Sequence, residues 1–413
     1  MGVVQVFRRV LTVLVSVLLI ALLAPSSAQA LEDGEKFNNP VSPQAATRNA
    51  LGKQVISAIN LTPAGEKIQI AAYSFDRKDV ADALVKAHRR GVRVQIVLND
   101  NWISPQTRRL RTELGGNPKY QNFLRLCHGS CRGGAGNLHM KVYAFTRSGS
   151  ASDVVITGSA NMTDRAVQLQ WNDLVTLRNV PGLHDAFVKV FNELKYDEAV
   201  DPRWVYYEQP GLTAQFYRTQ DGEASTRTVS YSRTPTAAED PVMNRLKAID
   251  CAAQPGTGIN GKTAIRIMMY GWNGDRGVWI ANEVAQLKKQ GCDIKIITSV
   301  AGGQVIKILR EAGIPVRSAD YKYIYNEDGT STVDFYSHLK GMAISGTYNG
   351  VATRALWTGS ENWSGMSFMN DELCIGLIGS TWQQGFFSRF TYMNTYYTHK
   401  FGIYPTTTPA YRG

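Results

Sequence analysis

Long apolar runs, clustered carboxylates and metal-type cysteine pairs are all scarce in this 413-residue sequence. Beyond residue 30, no stretch stays apolar over the roughly 20 residues that a membrane-spanning helix needs, which excludes a later helix of that kind. The sequence has no dense group of Asp and Glu residues of the kind that binds a divalent metal, so we expect neither a metal nor another cofactor. Cys127, His128 and Cys131 lack a second ligand pair at zinc-like spacing, which argues against a zinc site.

The first thirty residues differ from the rest of the chain. Arg8 and Arg9 precede an apolar run over residues 10–24, and small residues follow up to Ala28-Gln29-Ala30. A basic start, an apolar run and an A-x-A site are typical of a secretory signal peptide. The run is short for an uncleaved anchor, so we expect cleavage near Ala30 and a secreted, extracellular protein.

The chain is basic. Its formal net charge is +11 at pH 7, and removing residues 1–30 removes two arginines and no acids, which leaves +9. A basic surface favours partners that carry phosphate, such as nucleic acid, an anionic membrane or an anionic polymer. Composition does not choose among these partners.

The five cysteines allow two disulfides if the chain is exported. Cys127 and Cys131 bracket a short loop, and Cys251 and Cys292 flank a predicted strand and helix. Cys374 lies in an apolar strand pattern, which predicts a buried thiol.

An internal duplication organises the chain. Residues 67–98 have the order strand, amphipathic helix, glycine and strand, and residues 264–298 repeat that order. Tyr270 follows Tyr73 by 197 residues, and Gly291 follows Gly91 by 200 residues. Each copy is a βαβ unit whose helix ends at a glycine.

The duplication predicts an α/β protein of two similar domains packed face to face. Because the strands are apolar on both faces, we expect a largely parallel sheet covered by helices. Pro202 and Pro210 interrupt the periodic pattern, so we place the first domain at residues 31–205 and the second at residues 206–413. Residues 219–240 are expected to form a surface loop or hairpin.

Polar motifs follow the same repeat. The first half carries H-x-K at residues 139–141 and G-S-x-N at residues 158–161, and the second half carries them at residues 338–340 and 359–362. The histidines are 199 residues apart, as are the lysines, whereas the serines and asparagines are 201 apart. Either motif alone is common, but both in order, twice, within a duplicated frame indicate a catalytic cluster.

These residue types suit chemistry on a phosphodiester. In a strand, residues two apart point to one face, so the His and Lys of each H-x-K project together. The cation and the neutral donors bind phosphate oxygens, and the imidazole acts as nucleophile or proton carrier. With two such clusters, one histidine attacks phosphorus, and the other protonates the leaving oxygen and then activates water or an alcohol.

Further polar and aromatic residues lie near the motifs. Asp173 and Glu372 follow the clusters, and we assign them to stand behind the imidazoles and fix their tautomers. The alternative for both is an ordinary carboxylate at a strand edge. Four aromatic residues lie near the motifs: Trp171, Trp272, Tyr336 and Trp363. They could line the entrance to a substrate site, but for each of them we expect packing in the core.

The two motif pairs resemble those of the phospholipase D superfamily, whose signature is H-x-K-x4-D followed by G-S-x-N. The resemblance implies a pseudo-symmetric tandem of two α/β/α domains with one active site at their interface. It implies that His139 and His338 are nucleophile and general acid/base, with His139 favoured as nucleophile. It also implies that further residues grip the phosphate or support those that do: Lys141, Lys340, Asn161 and Asn362, with Ser159 and Ser360 supporting.

The chain departs from the family pattern in two ways. The family Asp is replaced by Thr146 in the first half and by Ser345 in the second. The spacing from His139 to Asn161 is 22 residues, and that from His338 to Asn362 is 24, both longer than usual. The extra residues are hairpin tips, where insertions cost little.

The sequence thus predicts a secreted phospholipase D-like phosphodiesterase that works through a phosphohistidine. Its expected substrate is a phospholipid such as phosphatidylcholine, met at a membrane surface, and no obligate protein partner is evident. The alternatives are a non-specific nuclease on the same scaffold and a non-catalytic protein that binds a phosphate polymer or a membrane. An apolar rim would favour lipid, and a basic groove would favour nucleic acid.

Overall fold

The computed structural model describes residues 31–133, 135–200, 204–217, 235–319, 323–325, 331–333 and 335–400. The expected signal peptide lies outside these ranges, as do residues 219–234 of the expected surface segment. Within the ranges, no helix combines the length and the apolar character that crossing a membrane requires.

The first half contains one seven-stranded sheet and the helices that cover it. The strands of this half are β1 (Gly34–Phe37), β2 (Lys67–Ala72), β3 (Arg93–Asn99), β4 (Phe123–Cys127), β5 (Lys141–Ser148), β6 (Ala151–Gly158), β7 (Gln170–Trp171) and β8 (Asp173–Leu177), and all but β7 belong to the sheet. Its helices are α1 (Ala45–Arg48), α2 (Ala50–Leu61), α3 (Lys78–Arg89), α4 (Pro105–Leu114), α5 (Asp164–Gln168) and α6 (Pro181–Leu194). The sheet order is β1-β8-β6-β5-β2-β3-β4.

The second half is built around a larger sheet. The strands of this half are β9 (Val205–Gln209), β10 (Leu212–Tyr217), β11 (Ile249–Asp250), β12 (Ala264–Trp272), β13 (Asp293–Ala301), β14 (Val316–Ala319), β15 (Tyr323–Tyr325), β16 (Ser331–Val333), β17 (Tyr336–Ser337), β18 (Lys340–Tyr348), β19 (Val351–Gly359), β20 (Glu372–Ile378) and β21 (Thr398–Lys400), and all but β15, β16 and β17 belong to the sheet. Its helices are α7 (Pro241–Lys247), α8 (Gly274–Lys289), α9 (Gly303–Glu311) and α10 (Ser380–Tyr396), with a 3-10 turn at Gly365–Phe368. The sheet order is β21-β14-β13-β12-β18-β19-β20-β10-β9, with β11 paired to β18.

The two sheets share one strand order, which confirms the predicted duplication. The order β4-β3-β2-β5-β6-β8 in the first sheet corresponds to β14-β13-β12-β18-β19-β20 in the second. Gly91 (φ 92°) and Gly291 (φ 104°) occupy the left-handed region where each helix turns into the next strand.

The expectation of a largely parallel sheet is wrong. In each sheet only the first three of these strands are mutually parallel, and the other three pair antiparallel. The reason is the hairpin that joins β5 to β6 through Gly149, and β18 to β19 through Asn349-Gly350. Such a short connection joins only antiparallel strands, because a parallel pair needs a crossover of a dozen or more residues.

One apolar cluster joins the two halves. It contains Phe187 and Phe191 of α6 together with Phe386 and Phe390 of α10, between residues of both sheets. Two further clusters lie on the outer faces, one in each half. Burial of a shared apolar interior therefore holds the halves together.

Both predicted disulfides are present, Cys127–Cys131 and Cys251–Cys292, and Cys374 is a buried free thiol, as expected. The first closes a loop beside the first sheet, and the second links the residue after β11 to the turn between α8 and β13.

Candidate active site

Backbone bonds between the halves bring the two H-x-K motifs together. The N–H groups of His139 and Met140 both donate to the carbonyl of Asp371, at 3.0 and 2.8 Å. The N–H of His338 donates to the carbonyl of Trp171 at 2.9 Å, where β17 pairs in parallel with β7. Each histidine loop is therefore anchored on the opposite half.

The two lysines are buried beside the histidines. The Nζ of Lys141 donates to the carbonyl of His139, and the Nζ of Lys340 donates to the carbonyl of His338 at 2.8 Å. Burial lowers the pKa of Lys141 to about 7, against the opposing effect of Glu372. Burial and the neighbouring Lys141 also hold the pKa of Lys340 well below its ordinary value. An anion between the lysines would restore their charge, as a phosphate does.

His139 has a carboxylate behind it. Its Nδ1 lies 2.9 and 3.0 Å from the two oxygens of Glu372, which is fully buried and also accepts from Ser360 Oγ. Burial alone would raise the pKa of Glu372, but His139, Lys141 and Ser360 bring it down to about 2. Burial lowers the pKa of His139 to about 4, more than Glu372 raises it. The ring is thus neutral, with Nδ1–H on Glu372 and a free lone pair on Nε2.

His338 has an amide in the corresponding place. Its Nδ1 lies 2.9 Å from Oδ1 of Asn172 and 3.1 Å from the carbonyl of Ser159. The Nδ2 of Asn172 donates to the carbonyl of Ala166 and to Gln170, which fixes Oδ1 toward the ring. Both partners accept, so Nδ1 carries the proton. Burial, followed by Lys340, Lys141 and His139, holds the pKa of His338 well below its ordinary value.

The expectation that Asp173 stands behind an imidazole is wrong. Asp173 accepts from Ser159 Oγ and from Thr358 Oγ1, at 2.6 Å for the latter. The repeat explains the error, because the N–H of Ser159 bonds the carbonyl of Asp173 just as that of Ser360 bonds the carbonyl of Leu373. Asp173 therefore corresponds to Leu373, and Asn172 corresponds to Glu372. A shift of one residue along an extended chain turns the side chain to the other face.

The serines and asparagines of the G-S-x-N motifs line the same region. Ser159 and Ser360 bond the two buried acids, which matches a supporting position. Asn362 Oδ1 accepts from the N–H of Gly271 at 3.2 Å. Asn161 Oδ1 is buried and has no hydrogen-bond partner among the described residues.

Two tyrosines that the sequence analysis did not assign to the site flank the histidines. The ring of Tyr73 lies 5.3 Å from that of His139, and the ring of Tyr270 lies 4.7 Å from that of His338. Each tyrosine also lies under the Nζ of its own half's lysine, at 5.5 and 4.8 Å. The repeat already paired these tyrosines at the ends of equivalent strands, and that was the signal that could have identified them.

Of the four aromatic residues near the motifs, Tyr336 is the only one in ring contact with a histidine within the described part of the chain, 6.5 Å from His338. Trp171, Trp272 and Trp363 are almost fully buried, and the last two pack edge to face with each other. Core packing, the favoured expectation, describes these tryptophans.

The replacements of the family Asp lie away from the site. Thr146 Oγ1 donates to Glu66 at 2.7 Å, and Ser345 Oγ accepts from the N–H of Gly258 at 3.0 Å. Each is five residues beyond its motif lysine, roughly 16 Å along a strand. Both residues tie local loops, so these departures leave the cluster unchanged.

The cluster presents two imidazoles with free Nε2 lone pairs, two buried lysines and the polar ends of two G-S-x-N motifs. Among the described residues, no group of three or more His, Cys, Asp and Glu side chains could hold a metal ion. Such an array can bind a phosphate group and supply it with a nucleophile and a base.

Comparison with known proteins agrees with this arrangement. Residues 56–195, which include the first H-x-K and G-S-x-N, match the family model described as "Cardiolipin synthase, PLD-like domain". A search of curated proteins finds no match.

Solved structures share the whole two-half fold. A polyphosphate kinase from Porphyromonas gingivalis matches 94% of this chain with a TM-score of 0.56 at 11% identity, and the chain spans 55% of that protein. A phosphatidylserine synthase from Haemophilus influenzae Rd KW20 matches 88% of this chain and 87% of its own, with a TM-score of 0.54 at 12% identity. These likenesses show the fold alone. Residues 56–195 therefore contain a PLD-like domain, and the second half repeats its strand order and both of its motifs.

Proposed function

We propose that this chain cleaves or transfers a phosphodiester bond through a covalent phosphohistidine on His139, with a phospholipid as substrate. The pairing of His139 with Glu372 carries the proposal. Glu372 keeps the ring proton on Nδ1, which leaves Nε2 free to attack phosphorus. When the N–P bond forms, the P–O bond to the leaving group breaks and its electron pair leaves with the oxygen. The ring becomes cationic, and the buried carboxylate offsets that charge.

The lysines supply the electrostatic part of the mechanism. Lys141 and Lys340 come from opposite halves, and burial lowers the pKa of both. A bound phosphodiester would favour their charged forms, and they would stabilise the charge on its non-bridging oxygens.

His338 serves the second step. Its Nε2 is free to take the proton of a water or an alcohol, whose oxygen then attacks phosphorus. The N–P bond breaks, and its electron pair returns to His139. Water gives hydrolysis, and an alcohol gives transfer.

An apolar loop at the site supports a lipid substrate. Tyr73 lies against His139, and its hydroxyl accepts a hydrogen bond from Asn101. Trp102 and Ile103 follow directly and are 43% and 37% exposed. Exposed apolar side chains beside a polar site favour contact with a membrane surface over contact with nucleic acid.

Export remains part of the proposal. The two disulfides support it, because such bonds persist in oxidising compartments and are rare in the cytosol. Expression of the whole chain in a secreting bacterial host, followed by N-terminal sequencing of the extracellular product, tests it. We expect the product to start near Leu31, and retention of all product inside the cells would contradict export.

The activity test uses three substrates with EDTA present: vesicles of phosphatidyl-4-nitrophenol, soluble bis(4-nitrophenyl) phosphate and plasmid DNA. His139→Ala and His338→Ala are the matched controls. We expect the wild type to release nitrophenol and to acquire a phosphatidyl group, seen by intact-protein mass spectrometry, whereas His139→Ala does neither. DNA cleavage without lipid cleavage would replace the lipid proposal with a nuclease. If wild type and variants are equally inert, the catalytic proposal fails.

The apolar loop that carries Trp102 and Ile103 has its own test. Trp102→Ala with Ile103→Ala should slow the vesicle substrate while leaving bis(4-nitrophenyl) phosphate unchanged. Tyr206→Ala removes a similarly exposed aromatic residue, 48% exposed on β9, and serves as control. Equal losses on both substrates would contradict a membrane-facing loop.

A further inference from the structure

The two imidazoles of the site differ in one partner. Asn172 and Glu372 occupy equivalent positions of the repeat, and each contacts Nδ1 of the histidine from the opposite half. Glu372 presents a charged carboxylate to His139, whereas Asn172 presents a neutral amide oxygen to His338. The duplicated fold therefore places one residue behind each imidazole, and of these two residues only Glu372 is an acid.

The remaining surroundings of His338 do not supply the missing negative charge. Its ring faces those of Tyr270 and Tyr336, and the cations Lys340 and Lys141 lie near it, as does His139. Its second Nδ1 partner is the neutral carbonyl of Ser159. Asp173 instead bonds Ser159 and Thr358. Among the described residues, no carboxylate accepts a hydrogen bond from the His338 ring.

In these surroundings the ring of His338 is neutral at rest, so it begins the first step without a proton to give. To protonate a leaving oxygen, His338 would first have to become imidazolium among two lysines and without an opposing carboxylate. An imidazolium is normally supported by an acid such as the one behind His139. The neutral ring, in contrast, has its Nδ1 proton held by two acceptors and a lone pair ready on Nε2.

We propose that Asn172 determines specificity: it restricts the first step to phosphodiesters whose leaving oxygen is weakly basic, such as a phosphate anhydride or a phenol. The proposal rests on the function proposed above. An alkoxide such as choline would leave poorly, because it needs a proton that His338 does not hold.

The two steps balance without a proton donor. In the first, the Nε2 lone pair of His139 forms the N–P bond, the P–O bond breaks, and the leaving group departs as an anion with the electron pair. In the second, an acceptor hydroxyl gives its proton to Nε2 of His338 and its oxygen bonds phosphorus. The N–P pair returns to His139, and His338 then releases the proton to solvent.

The test compares two lipids that differ only in the leaving group, phosphatidyl-4-nitrophenol and phosphatidylcholine, in vesicles of the same composition. We expect the wild type to release nitrophenol at least about 10³-fold faster than choline. Asn172→Asp gives His338 a carboxylate and should narrow that ratio by about 10²-fold, mainly by speeding choline release. Asn38→Asp is the matched control, because Asn38 bonds the backbone N–H of Asn172 but does not contact the ring. The control should leave the ratio unchanged.

A second measurement needs no substitution and covers the case in which Asn172→Asp fails to fold. The wild-type rate is followed over a series of aryl phosphodiesters with progressively more basic phenols. A steep fall with leaving-group basicity is expected, and a flat dependence would overturn the role of Asn172. Choline and nitrophenol released at similar rates, both lost in His139→Ala, would overturn the leaving-group proposal but keep the proposed function. Failure on every substrate would overturn both.

Discussion

His139 sits against a charged carboxylate and His338 against a neutral amide, although the two half-sites share strand order, motifs and flanking tyrosines. In both, the residue that orients the ring comes from the opposite half. The repeated fold thus sets where each imidazole lies, and we propose that one side chain behind it decides which proton chemistry it performs. Substitutions made in matched pairs can separate these two contributions.

The largest contrast is expected between the histidines themselves. His139→Ala should lower kcat by roughly 10⁵- to 10⁶-fold, because no other group forms the phosphorus bond. His338→Ala should still give one burst of nitrophenol per protein molecule and then stall as the phosphohistidine. Rapid-mixing kinetics and intact mass measure both effects. Absence of a burst in both variants would mean that the halves do not divide the steps in this way.

Loss of the orienting partners should be the next largest effect. Glu372→Gln should lower kcat roughly 10³- to 10⁴-fold, because the tautomer and the cationic intermediate lose their carboxylate. Asn172→Ala should lower it about tenfold or less, since the carbonyl of Ser159 still accepts from Nδ1. Steady-state kinetics with circular dichroism as a check on folding distinguish the two. Equal losses of kcat in the two variants would contradict the proposed difference between the two histidines.

The pH profile sharpens the same comparison. Burial lowers the pKa of His139 to about 4, and the nucleophile must be neutral to attack. On the nitrophenyl substrate, kcat/KM should stay level down to about pH 4 and fall about tenfold per unit below it. Glu372→Gln should move that limb lower, because the carboxylate raises the pKa of the ring. A limb near the ordinary histidine value would contradict a buried, neutral nucleophile.

A smaller effect on activity is expected when Asp173, whose counterpart in the repeat is Leu373, loses a hydrogen-bond partner. Thr358→Val removes a hydroxyl that bonds the buried carboxylate across the halves and should cost about 1–3 kcal/mol of unfolding free energy. Thr358→Ser keeps the hydroxyl and should cost less. Urea unfolding measures both, and kcat should change only a few-fold. A large loss of activity with unchanged stability would place Asp173 in the chemistry instead.

The sequence predicted the features that repeat and missed those that depend on contact between the halves. The offsets near 200 residues identified the duplicated βαβ units, both motif pairs and the two tyrosines at equivalent strand ends. An offset of 200 residues maps Glu372 onto Asn172, whereas the offset of 199 between the two histidines maps it onto Asp173, so the offsets alone do not choose between these neighbours.

Two other properties could not be predicted from periodicity. Whether Glu372 faces the histidine of its own half or of the other depends on how the two sheets dock, and docking is decided by side chains distant in sequence. The antiparallel half of each sheet follows from the hairpins at Gly149 and Asn349-Gly350. The sequence marks these residues as hairpin tips, but the apolar strand patterns on which the sheet prediction rests do not report strand direction.

Because each histidine is oriented by a residue of the opposite half, the order of synthesis also bears on the proposed activity. Glu372 is 233 residues beyond His139, and the carbonyl that anchors the His139 loop belongs to Asp371. During synthesis, a chain that ends short of these residues carries His139 without the carboxylate that orients it and without the carbonyl that anchors its loop. The proposed activity therefore requires that the second half has been made and has docked, so an unfinished chain would be inactive on the phosphodiesters of the cell that produces it.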